Sequence, residues 1–183
     1  MLDTIQEIDK NMFISVNHGL STPFMDSVMT FISGPWPWVL VLLVWVAQLV
    51  ARKDKEGART LFMCLLIVGI CDATSSYLLK PFFGRARPCK IYDFVRIVEG
   101  CAGYMSFPSN HATNAMAVAT VCLRFCGRLA GFAMLFLALV IAFSRVYMGV
   151  HYPFDVTAGV LFGFGFSSFW IWVLMRFGWL KGR

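Results

Sequence analysis

The chain has 183 residues, a length that suits one domain. It is 58% hydrophobic and 14% charged, with a mean hydropathy of +0.69, whereas a soluble domain carries roughly 25% charged residues. This composition excludes an ordinary soluble protein and predicts a single membrane-embedded domain over residues 1–183. The net charge of +6 indicates membrane orientation and not nucleic-acid binding, because the basic residues stand between apolar runs.

The first part of the chain, residues 1–34, is predicted to form helices at the membrane interface. Apolar residues recur at helical spacing from Ile5 to Val16, with polar residues between them. That pattern is typical of an amphipathic helix lying in the interface. A second short helix is expected over residues 24–32. The acidic residues among the first ten positions, such as Asp9, argue against a cleavable signal peptide.

Five membrane spans are predicted, all within a core over residues 35–177. A spanning helix needs about 20 apolar residues, with about 17 to 25 tolerated. The candidate spans are residues 35–51, 59–79, 112–125, 129–147 and 156–177. The third is short and is expected to extend past His111 or towards Gly127. The predicted fold is therefore an all-α, polytopic transmembrane bundle. Six spans are the alternative, with residues 12–32 crossing as a broken helix.

Basic residues predict which side of the membrane each loop faces, because cytoplasmic loops are enriched in lysine and arginine. If the spans alternate, nine basic residues fall on the expected cytoplasmic side: Arg52, Lys53, Lys55, Arg59, Arg124, Arg128, Arg176, Lys181 and Arg183. The opposite side is periplasmic in a bacterium. The expected location is thus the bacterial inner membrane.

Three polar clusters stand at the ends of the predicted spans, and all three fall on the expected periplasmic side. They are residues 80–88, 108–111 and 144–155. Charged groups beside a lipid phase are costly and usually functional. Alternating spans therefore predict a single site that all three clusters share.

The loop between the first two clusters carries Cys89 and Cys101. On the periplasmic side a disulfide can form between them, and two free thiols are the equal alternative. Loops of this length are often functional lids. We expect the loop to cover the site or to grip a headgroup.

The side chains of the clusters suit the cleavage of a phosphate ester. Lys80, Arg87 and Arg145 can surround a phosphate, since arginine makes bidentate contacts and lysine supplies a point charge. Ser109 and Asn110 precede a predicted helix, so their backbone N–H groups can point at the same anion. No acidic cluster suited to Mg²⁺ or Ca²⁺ is visible in the sequence. A reaction without metal or cofactor is therefore expected.

Two histidines in the clusters allow one to attack phosphorus and the other to donate a proton. Asp155 stands four residues after His151, which is one helical turn if a helix has begun there. A carboxylate in that position can orient the imidazole for attack, which leaves His111 as general acid. Arg85 is expected either to contact the substrate headgroup or to face water. Asp72 is expected either to pair with a site cation or to pack with nearby serines.

The three clusters resemble the signature of the type 2 phosphatidic acid phosphatase (PAP2) superfamily, which reads Lys-x6-Arg-Pro, Pro-Ser-x-His and Ser-Arg-x5-His-x3-Asp. The chain matches it from Lys80 to Asp155 and departs at Asn110, where glycine is commonest. The resemblance implies a helical bundle, no metal and a phosphohistidine intermediate. It also implies His151 as nucleophile, His111 as general acid, and phosphate binding by the residues named above.

The expected function is hydrolysis of a lipid phosphomonoester or pyrophosphate by an integral membrane enzyme, with the bilayer and the lipid as partners. A lipid A 1-phosphatase is the favoured interpretation, and undecaprenyl diphosphate phosphatase and phosphatidylglycerol phosphate phosphatase are alternatives. A lipid-binding or transport protein on the same fold is the alternative from another class. Such a protein would be expected to have lost a histidine or Asp155. The sequence does not indicate an oligomeric state.

Overall fold

The computed structural model describes residues 2–179, with side chains described from residue 4 onwards. This part of the chain is mostly helical and forms no β-strand, which confirms the predicted all-α class. Lys181 and Arg183, which contributed to the predicted orientation, lie outside the described residues.

Nine α-helices form within the described residues. They are α1 (Leu2–Asn17), α2 (Pro23–Ser33), α3 (Trp36–Arg52), α4 (Lys55–Ala73), α5 (Lys80–Phe83), α6 (Pro88–Ile91), α7 (Asn110–Phe125), α8 (Arg128–Tyr147) and α9 (Pro153–Arg176). A π-helical segment, Thr74–Leu79, joins α4 to α5, so that Lys55–Phe83 is one helical run of 29 residues.

Within residues 2–179, three helical runs are long and apolar enough to cross a membrane: Lys55–Phe83, α8 and α9. Helices α2 and α3 qualify only together, as a pair bent by 47°. The sequence predicts a separate interfacial helix over residues 24–32, followed by a membrane span over residues 35–51. The structure joins them as a bent pair, either a broken span or a re-entrant segment, that is interrupted at Gly34 and Pro35, where α2 ends before α3 begins.

Helix α7 is shorter than a membrane-crossing helix, although it occupies the centre of the bundle. It has 16 residues and begins at Asn110. The predicted third span therefore extends upstream past His111, which is one of the two extensions expected from the sequence. Ten of its residues are buried, because it packs against α4, α8 and α9. Five spans therefore stay a prediction, since α7 alone falls short of about 20 residues.

Helix α7 lies in close contact with α9 because glycines face it. A Cβ added at Gly159 would lie 2.7 Å from the main-chain oxygen of Ser109, and one at Gly163 would lie 2.4 Å from that of Thr113. Glycines four residues apart let membrane helices approach backbone to backbone. The first turn of α7 is thereby held against the first half of α9.

Helix α1 packs on protein through the face that carries Phe13 and Asn17, whereas Ile5, Ile8 and Met12 of the predicted apolar face are exposed. Phe13 is fully buried and makes an edge-on ring contact with Tyr152 at 5.6 Å between centroids. The buried Asn17 donates hydrogen bonds of 2.8 Å to the main-chain oxygens of Tyr147 and Arg96. The N-terminal helix is thus fastened to α8 and to the long loop.

The long loop before α7 is tied down at three points. Cys89 and Cys101 form a disulfide, which decides between the two alternatives left open by the sequence. Arg96 forms an ion pair with Asp26 on α2, and its main-chain N–H donates to Asn17 at 3.0 Å. The loop is therefore an anchored cover at this end of the bundle.

The close contact between α7 and α9 generates a testable prediction. Gly163→Ala should lower the free energy of unfolding by about 1–3 kcal/mol, because the added methyl group meets main chain that cannot yield easily. Gly165→Ala on the same helix is the matched control, since nothing lies within 4 Å of its added Cβ. Thermal unfolding in detergent measures both variants, and equal melting temperatures would contradict this account of the helix contact.

Candidate active site

The three polar clusters meet at one end of the bundle, where α5 and α8 end and α7 and α9 begin. A cavity of about 380 Å³ is lined there by residues of all three clusters, including Lys80, Arg87, His111 and His151. An adjoining cavity of about 740 Å³ shares His111 and is also lined by Arg145. The structure therefore brings together the side chains that alternating spans predicted to meet.

The first cluster is positioned by the loop that returns to α7. The Nζ of Lys80 donates to the main-chain oxygen of Pro108 at 2.8 Å and to that of Met105 at 3.4 Å. The Nε of Arg87 also donates to the oxygen of Met105, at 3.3 Å. Burial lowers the pKa of Arg87 from its usual value. An anion bound in the cavity would restore the stabilisation of the charge that this guanidinium loses when burial removes its hydrating water.

The third cluster places a carboxylate beside a buried imidazole. His151 lies in the turn between α8 and α9 and is 1% exposed, and Asp155 in the first turn of α9 is fully buried. One carboxylate oxygen of Asp155 lies 3.5 Å from Nδ1 of His151 and accepts the N–H of Tyr152 at 2.9 Å. The 3.5 Å separation is longer than a hydrogen bond and within ion-pair range.

His151 is held in its neutral form. Burial lowers its pKa to about 4, and the neighbouring Asp155 opposes that shift only in part. A neutral imidazole keeps the lone pair that attack on phosphorus requires. The environment of His151 thus suits a nucleophile, and His111, which lines both cavities, is placed to exchange a proton with a group bound there.

Buried polar atoms near the site that lack hydrogen-bond partners among the described residues include Nε of Arg145 and the hydroxyl of Ser109. The Nη1 of Arg145 is held by the hydroxyl of Ser33 and lies 3.8 Å from the sulfur of Met148. Buried polar groups usually have partners. A phosphate oxygen is a partner that both of these donors could use.

The backbone N–H groups at the start of α7 are used differently from the prediction. The N–H of Ser109 donates to the main-chain oxygen of Asp155 at 3.0 Å, so it is not available to an anion. This bond fastens the second cluster to the third. The sequence could not show it, because it depends on how closely α9 approaches α7.

The side chain of Asn110 anchors α7 to the helix that carries Lys80. Its oxygen accepts from the hydroxyl of Ser75 at 2.7 Å, and its nitrogen donates to Asp72 at 2.9 Å and to the hydroxyl of Ser76 at 2.6 Å. Asp72 also accepts from Asn114, at 2.7 Å. The side chain of Asn110 therefore anchors α7, and Asp72 binds amides, while the phosphate contact predicted for Asn110 stays a prediction.

Arg85 is engaged in ion pairs with two carboxylates. Its Nη1 donates to Asp155 at 2.7 Å, its Nη2 donates to Asp9 at 2.6 Å, and its guanidinium lies 4.0 Å from the ring centroid of Tyr152. Burial alone would lower the pKa of Arg85, but the two carboxylates outweigh it and raise that pKa.

Asp9 is a residue near the site that the sequence did not single out. It is fully buried, and burial raises its pKa although Arg85 partly offsets the shift. A signal was available in the sequence: Asp9, Phe13 and Asn17 recur every four residues, so they share one helix face. An aromatic residue on that face indicates burial, and a carboxylate beside it then needs a cation.

Comparison with known proteins decides the family. Residues 57–179 match the sequence model of the PAP2 superfamily, which covers more than half of the chain. The chain belongs to the PAP2 superfamily. It is therefore a hydrolase that acts on phosphate esters, a lipid phosphatase of the membrane with several spanning helices.

Individual PAP2 proteins resemble the chain over most of its length. The lipid A 4′-phosphatase of Porphyromonas gingivalis is 31% identical over 98% of this chain and 79% of that protein. The undecaprenyl-diphosphatase BcrC of Bacillus subtilis is 29% identical over 83% of this chain and 79% of that protein.

A solved PAP2 structure shares the fold. The crystal structure of a transmembrane PAP2-type phosphatidylglycerolphosphate phosphatase from Bacillus subtilis superposes with a TM-score of 0.73. The match has 24% sequence identity and covers 94% of this chain and 87% of that one. The predicted PAP2-like helical bundle is thus confirmed.

The anchoring role of Asn110 can be tested by removing its side chain. Asn110→Ala should lower the free energy of unfolding by about 1–3 kcal/mol, because Asp72 and two hydroxyls lose a partner. Asn11→Ala, on the exposed side of α1, is the matched amide deletion and should leave the melting temperature unchanged. A rise in KM without loss of stability would instead support the phosphate contact predicted from the sequence.

The lowered pKa of His151 predicts how stability depends on pH. The unfolded histidine binds a proton near pH 6.5, whereas the folded one resists protonation down to about pH 4. As the pH falls from 6.5 to 4, the unfolded state takes up a proton that the folded state does not, so stability falls. The melting temperature should fall more steeply over this range in the unaltered protein than in His151→Gln. Parallel curves would contradict the burial of a neutral His151.

Proposed function

We propose that the protein cleaves the phosphate ester of a lipid through a phosphohistidine formed on His151. One observation carries the proposal: His111 and His151 line the same cavity as two cluster cations, Lys80 and Arg87. In this proposal Asp155 orients His151. The phosphate oxygens lie among the cations, with Arg145 and the hydroxyl of Ser109 completing the set.

The reaction proceeds in two steps. In the first, Nε2 of His151 attacks phosphorus, the bond from phosphorus to the lipid oxygen breaks, and protonated His111 gives that oxygen its proton. In the second, neutral His111 takes a proton from water as the water attacks phosphohistidine. Inorganic phosphate leaves, and both histidines return to their initial states.

Positive side chains stabilise the charge that develops during both steps. Lys80, Arg87 and Arg145 surround the transferred phosphoryl group, where preorganised cations stabilise charge more strongly than water does. The Asp155 carboxylate stabilises the imidazolium-like His151 that forms as the new bond is made. The proposal assigns these roles to side chains alone.

The proposed substrate is lipid A, cleaved at its 4′-phosphate. Support comes from the Porphyromonas gingivalis relative, whose similarity spans 98% of this chain. The sequence alone favoured the 1-phosphate, which becomes the alternative position. Undecaprenyl diphosphate is the second candidate substrate, because the Bacillus subtilis relative of that name also covers most of the chain.

The proposed orientation places the site in the periplasm, with the protein in the bacterial inner membrane. Basic residues at the opposite end of the bundle support it, among them Arg52 at the end of α3, Arg128 at the start of α8 and Arg176 at the end of α9. The disulfide of the site loop also supports it, since disulfides persist in oxidising compartments.

A substrate panel with one active-site variant tests the proposal. Purified protein should release phosphate from lipid A carrying only a 4′-phosphate faster than from lipid A carrying only a 1-phosphate, undecaprenyl diphosphate or phosphatidylglycerol phosphate. His151→Ala should lose at least about a thousandfold in kcat, as removal of a nucleophile does in comparable enzymes. Activity that survives in His151→Ala would refute the nucleophile, and preference for another lipid would refute the substrate.

A further inference from the structure

A chain of buried charges connects the N-terminal helix to the proposed nucleophile. Asp9 on α1 pairs with Arg85 at 2.6 Å, and Arg85 pairs with Asp155 at 2.7 Å. Asp155 in turn lies 3.5 Å from His151. Both carboxylates are fully buried, so the guanidinium between them compensates two charges that water cannot reach.

The two oxygens of Asp155 are divided between these partners. Oδ1 accepts from Arg85, while Oδ2 accepts from the N–H of Tyr152 and faces Nδ1 of His151. A carboxylate held on both oxygens has one orientation. The position of Arg85 therefore decides how Asp155 faces the imidazole.

Asp9 acts on Asp155 by a second route, through the backbone. Its Oδ1 accepts the main-chain N–H of Phe154 at 2.9 Å, and Phe154 precedes Asp155 in the first turn of α9. One carboxylate on α1 thus restrains both the guanidinium that contacts Asp155 and the backbone that carries it. Asp9 lies outside residues 57–179, the part that matches the family model.

We infer that Asp9 is a positioning residue for the phosphatase reaction, which it supports by holding Arg85 and the first turn of α9 so that Asp155 faces His151. This inference rests on the proposed function. If the charge of Asp9 is removed, Arg85 has a single carboxylate partner and draws Asp155 away from the imidazole. The cavity residues that would hold phosphate make no contact with Asp9 among the described side chains, so substrate binding should be unaffected.

The test compares Asp9→Asn with two controls in the full-length protein, using the lipid substrate that gives the highest activity. Asp9→Asn should lower kcat about 10- to 100-fold, as loss of a carboxylate partner that orients a histidine does elsewhere, and should change KM less than about twofold. Asp9→Glu should recover part of kcat because it keeps the charge. Glu7→Gln removes an exposed carboxylate from the same helix and should have no effect.

A double variant separates positioning from a general loss of structure. If Asp9 acts through Asp155, then Asp9→Asn should lower kcat little further in a protein that already carries Asp155→Asn. If the losses of kcat caused by Asp9→Asn and Asp155→Asn instead multiply in the double variant, the inference is overturned. A folded Asp9→Asn protein with unchanged kcat, or with altered KM alone, would overturn it as well.

A further variant covers the case in which Asp9→Asn does not fold. Arg85→Lys keeps the charge but cannot bridge two carboxylates with a planar fork. It should reproduce the loss of kcat at constant KM, and full activity would overturn the inference.

His151→Ala distinguishes a failure of the proposed function from a failure of the role of Asp9. If His151→Ala is active, the proposed function fails. If it is inactive while Asp9→Asn is fully active, only the role of Asp9 fails.

Discussion

The close contact of α7 with α9 is the constraint on which the rest of the structure depends. Gly159 and Gly163 leave no side chain between the two backbones, and the N–H of Ser109 can then reach the carbonyl of Asp155. The two histidines stand near that bond in sequence, His111 in the first turn of α7 and His151 in the turn that precedes α9. A wider separation of the helices would move them apart and open the cavity they share.

Burial of charge is the second constraint, because an apolar chain can hold few ions without partners. At the end of the bundle that carries the site, charged groups therefore have partners. Arg85 bridges two carboxylates, Arg96 pairs with Asp26, and Asp72 accepts hydrogen bonds from two amides. Unmatched donors remain at Arg145 and Ser109. A site that binds an anion is expected to leave such donors for its ligand.

The sequence predicted what depends on spacing along the chain and missed what depends on contacts between helices. The alternation of spans placed Lys80, His111 and His151 on one face, because each stands at the end of a helix. The side-chain partners of Arg85 and Asn110 were not predicted, since the direction of a side chain depends on partners that only the packed bundle supplies. The bent pair of α2 and α3 was missed for a related reason, as residues 24–32 alone were too short to predict part of a span.

The contact between Asp9 and Phe154 joins residues 145 positions apart. During synthesis α1 leaves the ribosome long before α9, so its buried carboxylate lacks the N–H of Phe154 until the last helix is made. The helix can settle into its final position only when the last span has been inserted. Completion of the catalytic end therefore coincides with completion of membrane insertion, and a partly made chain cannot assemble the site early.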